Sequence, residues 1–250
     1  MAYEVTIHVA DFKDANDILK QWESEDKYHT YMKDIYVGGS LNRRARRQLY
    51  IPSSEAKEDT FRVKIDVPVN EDATLVFLDG MSDAGLPHTR GTSGIAMPVY
   101  LLWKMDYNTL HHELVHLSQK QYEDMWWNFY RTAWKFEKAT DSQIASIPLE
   151  WKQRRRINPD TLRSPFVVWK DRYIALSVFI HEKNPDLRTC KRGFWDLGLQ
   201  QWTWDPPSGW EELFGKGFND EHPNEIAAHW IDGSAGNRRL DYKSFLNPVN

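Results

Sequence analysis

The sequence predicts an α+β fold, in which a small mixed or antiparallel sheet with an edge strand lies beside one long helix and a mostly helical second part follows. Three observations carry this expectation. Apolar residues alternate with polar ones at Tyr3, Val5, Ile7 and Val9, and again at Phe61, Val63, Ile65, Val67 and Val69, which is the period of a half-buried strand. They recur at three- and four-residue spacing through residues 13–35 and 110–122, the period of a helix. With 41% hydrophobic residues and 12 Trp in 250 residues, the chain carries enough apolar surface to fill a core rather than stay solvated.

Taken in order, Tyr3–Val9 is the first strand, and residues 13–35 form a helix with an interruption. Residues 61–69 and 75–78 flank Asn70-Glu71-Asp72 and read as a hairpin with a short polar loop. Residues 80–92, rich in Gly, Pro, Asp, Ser and Thr, read as a loop. Residues 94–103 are strand-like, and Pro98 within them cannot donate to a ladder, which favours an edge strand. Asp106, Asn108 and Thr109 are candidate N-caps for a helix from Leu110 to beyond Tyr122. Trp126, Trp127, Tyr130 and Trp134 fall on helical spacing and read as core. Helix is also read at residues 171–181, loop at residues 193–217, and a short capped helix at Pro223–Ile231, with Pro in its first turn and Gly233 at its end. The expected organisation is an N-terminal α+β lobe over residues 1–140 and a mostly helical C-terminal lobe over residues 141–250.

Composition narrows the function classes. Cys190 is the only cysteine, so an intramolecular disulfide, a CxxC redox pair and a cysteine zinc site are all excluded, and a metal must rest on His and carboxylates. The opening residues lack the basic-then-apolar order of a secretory signal. Apolar stretches at residues 94–103 and 173–180 fall short of the ~20 residues that cross a bilayer. These observations lead to the expectation of a cytoplasmic protein. A net charge of -4 argues against a surface built for nucleic acid. Arg43, Arg44, Arg46 and Arg47, the basic run at residues 152–156 and Arg238-Arg239 read as solvated surface, since no base-reading motif accompanies them.

The chemistry concentrates in His112-Glu113-Leu114-Val115-His116. On a helix, residues four apart share a face, so His112 and His116 can chelate one ion. Glu113 is offset to the side of that chelate, where it takes a proton from water instead of ligating. His111 is turned about 100° from His112 and is left out. A catalytic zinc usually has three protein ligands and an open position, so a third must come from elsewhere. Glu123 is seven residues beyond His116, about 10 Å along the axis, and too far. The best candidate is Glu225 in His222-Pro223-Asn224-Glu225, with His229 and His222 as rivals.

HExxH followed far downstream by Asn-Glu on a second helix resembles the gluzincin branch of the zincin metallopeptidases. The resemblance implies one zinc ion held by His112, His116 and Glu225, with Glu113 as general base in peptide hydrolysis. It also implies close helix packing at Ala227 and Ala228. His229 stands where many gluzincins place an acid four residues after the ligand Glu. Asp220 or Asp232 is left to brace the first histidine, and His229 or a tyrosine to donate to the oxyanion. A protein or peptide substrate is expected, added as a strand to residues 94–100. Two other readings share the motif: an assembly protein with a structural or inactive zinc, and a zinc amidase acting on non-peptide or cell-wall material, for which Trp202, Trp204 and Trp210 offer stacking surfaces. No phosphate loop or dinucleotide fingerprint is present, and Cys190 reads as inert.

Overall fold

The computed structural model describes residues 2–35, 51–80, 82–101, 107–181, 189–216 and 220–234. Arg43 to Arg47, Arg238-Arg239, Asp106 and the end of the 94–103 stretch lie outside the described residues. Among those described are eight α-helices and two five-stranded sheets, an α+β architecture. Described residues within Met1–Tyr31, Arg43–Glu123 and Ala228–Arg239 form one compact unit; those within Met32–Asn42, Asp124–Ala227 and Leu240–Asn250 form a second.

The first unit is built on a mixed sheet of order β2-β1-β3-β5-β4. Its second strand from one edge is β1 (Tyr3–Val9), whose Val5, Ile7 and Val9 are buried as alternation predicts. It runs antiparallel to β2 (Asp59–Ile65) and parallel to β3 (Asp72–Leu78). The expected hairpin between the second and third strands is therefore corrected: β1 lies between them, because its own alternating face gives each a partner. β3 pairs in parallel with β5 (Gly94–Pro98), and β5 pairs antiparallel with β4 (His88–Arg90), which emerges from the expected loop. The edge-strand reading of residues 94–100 is overturned as well, since β4 occupies that edge. Pro98 is tolerated because it is the last strand residue, and the next N–H, of Val99, donates to the Leu78 carbonyl at 2.8 Å.

α1 (Phe12–Asp26) starts where the Asp11 carboxylate accepts from the N–H groups of Lys13 and Asp14. It stops at Lys27, left-handed at φ 54, the interruption before α2 (Tyr28–Ile35). Ala15, Leu19 and Trp22 pack with Val76, Leu78 and Ala96 of the sheet. Gly94 makes this possible: a Cβ there would lie 2.3 Å from the Trp22 ring. α3 (Tyr107–Gln121) completes the unit and buries Leu110, Leu114 and Leu117. Its end is tied down by Lys120, which donates to the Thr89 carbonyl at 3.0 Å, and by Gln121, which donates to that of Thr92.

The second unit contains α4 (Glu123–Phe129) and a π-helical turn at Tyr130–Trp134. Trp126, Trp127, Tyr130 and Trp134 are buried, as their spacing predicts. Its sheet is antiparallel, of order β10-β9-β8-β7-β6, with β6 (Phe136–Lys138), β7 (Val167–Trp169), β8 (Tyr173–Phe179), β9 (Cys190–Asp196) and β10 (Gln201–Thr203). Here the expectation of a mostly helical second part fails. Ile174 to Phe179 are all buried, and an apolar run buried on both faces carries no alternation to separate strand from helix. Lys170 and Asp171, with φ 49 and 56, make the bend of the three-residue connection between β7 and β8, closed by the Arg172 N–H donating to the Trp169 carbonyl at 3.2 Å. The supposed loop at residues 193–217 contains β9, β10 and α7 (Trp210–Phe214). Trp202 stacks on Trp151 at 4.1 Å, and Trp210 is fully buried, so these rings serve packing. α5 (Asp141–Ser146), capped reciprocally by Thr140 and Gln143, and α6 (Leu149–Gln153) precede β7. α8 (Pro223–Ile231) is the last described helix. No helix among the described residues is long and apolar enough to cross a membrane.

Candidate metal centre

α3 buries most of its length: Glu113, His116, Ser118 and Gln119 are as inaccessible as its leucines, while His112 is half-buried. The four-residue spacing brings the two imidazoles together, with Nε2 of His112 3.1 Å from Nε2 of His116 and the rings nearly perpendicular at 80°. The outer nitrogens settle the proton positions. Nδ1 of His112 lies 2.8 Å from Oδ2 of Asp232, and Nδ1 of His116 lies 2.7 Å from Oε1 of Gln119. A carboxylate and an amide oxygen only accept, so both Nδ1 atoms carry the proton. In the neutral rings each Nε2 is then a lone pair, and the two lone pairs face each other. Two nitrogens bound to one tetrahedral zinc at about 2.0–2.1 Å sit about 3.3 Å apart, close to the separation found. The donor set fits a cation of this kind.

Asp232 anchors the outer side. Burial pushes its carboxyl up, but hydrogen bonds from His112, His229 and Ser234 outweigh that and hold it well below the usual carboxylate range. Oδ1 accepts from the Ser234 N–H at 2.6 Å while Oδ2 faces His112. An ionised carboxylate on the far nitrogen fixes the tautomer and raises the basicity of Nε2. Of the two acids left open by the sequence, Asp232 is the one in contact with the first histidine.

His229 packs its ring against His112 with centroids 4.6 Å apart. Its Nδ1 is 2.7 Å from Ser234 Oγ and 3.7 Å from Asp232 Oδ2. His112, His229 and Asp232 each offer a ligand atom within 4.8 Å of one another. Glu225 stands on α8 one turn before His229, and its Oε1 accepts from Nδ2 of Asn158 at 2.6 Å. Asn158 is itself fixed, since its Oδ1 accepts from the Asp160 N–H at 3.0 Å. His222 is buried and fully engaged: Nε2 donates to the Ser164 carbonyl at 2.9 Å and Nδ1 accepts from the Asn224 N–H at 3.1 Å. Four residues before Glu225, burial lifts the Glu221 carboxyl to about 7, with Arg156 opposing and Glu225 and Asp220 adding to the rise.

Sequence reasoning passed over Gln119 and Asn158. Gln119 carried a local signal, three residues after His116 on the same helix face; Asn158 carried none. No family model, curated protein or solved structure matches the chain. The zincin likeness therefore rests on the motif residues themselves, and the geometry gives a candidate His and carboxylate metal-binding group.

Proposed function

We propose that the chain is a zinc-dependent metallopeptidase of the zincin type, with His112, His116 and Glu225 holding one zinc ion and Glu113 acting as general base. The observation that carries this reading is the pair of Nε2 lone pairs 3.1 Å apart, with both Nδ1 protons committed to Asp232 and Gln119. Zinc, when bound, acidifies water and polarises a carbonyl. Glu113, 3% exposed and one residue from His112, takes the proton of the attacking water and returns it to the leaving amine. Support for Glu225 is its place on α8, one turn before the His229 ring that packs on His112, and the Asn158 hydrogen bond that fixes its carboxylate. His229 is the proposed donor to the oxyanion, and the proposed substrate is an extended peptide.

One observation favours a second arrangement, in which His229 is the third ligand: its own ligand atom lies within 4.8 Å of those of His112 and Asp232. Elemental analysis of purified variants separates the two. The proposal expects one zinc per chain, kept in Glu113→Gln without hydrolysis, lost in His112→Ala, and weakened far more by Glu225→Ala than by His229→Ala. Full hydrolysis by Glu113→Gln would end the peptidase assignment, and zinc retained in Glu225→Ala but lost in His229→Ala would move the third ligand.

A further inference from the structure

On the side of the first sheet opposite α1, the first unit holds a cavity of about 580 Å³. Strand register builds its floor. Val9 lies beside Leu75, and Phe77 lies beside Met97; Leu75 and Phe77, two residues apart, point to the same face. The neighbours of opposite parity, Val76, Leu78 and Ala96, are the ones α1 covers. Leu101, Tyr107 and Leu110 form a wall at the start of α3. Leu110 is two positions from His112 and so about 200° round the helix, which puts the cavity on the sheet side of α3 and the paired imidazoles on the other.

The mouth is charged. Glu55, Lys57 and Glu58 lead into β2, Asp59 is the strand partner of Val9, and Arg62 follows. Nη1 of Arg62 donates to the Glu4 carboxylate at 3.2 Å, so its charge is matched by an acid that does not line the cavity. The remaining mouth charges are three carboxylates against one ammonium. An apolar floor with a few polar groups at one end, in a volume within the roughly 300–1,000 Å³ typical of small-molecule sites, selects a ligand that is apolar at one end and positive at the other.

We propose that this cavity binds a small amphiphile with an aliphatic or aromatic body and a primary ammonium head. The body lies on Val9, Leu75, Phe77 and Met97, and the head meets Glu55, Glu58 and Asp59. The site requires no metal and stands whether or not the His112 pair binds zinc.

The test is a titration of the full chain, labelled at its methionine methyl groups, with decylamine, decanol and decanoate below their micelle concentrations. The Met97 resonance is assigned through the volume-conserving Met97→Leu. Decylamine shifts the Met97 methyl saturably and binds roughly tenfold more tightly than decanoate, a preference that the surface double variant Glu55→Lys/Glu58→Lys abolishes. A Met97 signal that none of the three moves overturns the site. Equal affinity for decylamine and decanoate, or a preference that survives the double variant, overturns the ammonium head.

Discussion

The first unit contains two buried polar clusters that solve opposite problems. In one, Arg90, fully buried in β4, donates to both oxygens of Asp26 at 2.6 and 2.7 Å and to Glu23 at 2.9 Å, with its guanidinium over the Tyr28 ring. Opposite charges meet, and donors point at acceptors. In the other, His112 and His116 turn their protons outward to Asp232 and Gln119 and their lone pairs toward each other. The first cluster sets donors against acceptors and ties α1 to β4 of the sheet. The second gathers acceptors on its inner side and is the candidate place for a cation. Burial alone does not separate the two clusters; the direction of the donors does.

The sharpest way to break this contrast is to empty one cluster and read the other. His116→Ala removes stoichiometric zinc, measured by elemental analysis, and Arg90→Ala leaves zinc in place. If Arg90→Ala also emptied the site, the two clusters would not be independent. Arg90→Ala instead lowers the free energy of unfolding, measured with urea, by about 3 to 5 kcal/mol, because Asp26 and Glu23 lose their buried partner. Asp232→Asn keeps the hydrogen bond to His112 but removes the charge. It should weaken zinc about 10- to 100-fold in competition with a chromogenic chelator, or about 1.4 to 2.7 kcal/mol; an unchanged affinity would reduce Asp232 to a structural role.

A pH dependence of similar size comes from the first cluster. Burial raises the Glu23 carboxyl, but His29 at 2.8 Å and the charge of Arg90 outweigh it and bring the carboxyl down to about 2. A folded-state value below the unfolded one contributes stability that is whole above the unfolded pKa and is lost as pH falls through the folded pKa. Metal-free protein should therefore lose about 2 kcal/mol between pH 5 and pH 2, allowing for the water that still screens this half-exposed group. In Glu23→Gln that slope should flatten, and a slope unchanged in the variant would assign it to other carboxylates.

How much of this was legible in the sequence depends on how local the information is. β1 and β2 announce themselves through alternation, and α1 through its spacing and the Asp11 cap. β8 does not, since a strand buried on both faces shows no alternation. The pairing of β2 and β3 was misread because adjacency in sequence suggested a hairpin, whereas β1, more than fifty residues before β2, supplies the partner for both. In the same way the His112–His116 approach follows from a four-residue spacing, but nothing local could choose Asp232 over Asp220: the contact it makes spans 120 residues. Asn158 and Glu225, 67 residues apart, are equally silent in sequence.

That 120-residue reach gives the chain a built-in order of manufacture. The first unit is discontinuous, its last described piece beginning at Ala228, after the long Asp124–Ala227 piece of the second unit has been made. During synthesis α3 leaves the ribosome long before Asp232 exists to turn His112. Until residues 228–234 arrive, the two imidazoles lack the carboxylate that fixes the first tautomer. A chain stopped short of Asp232 would keep the motif intact in letters but lack the carboxylate that orients His112.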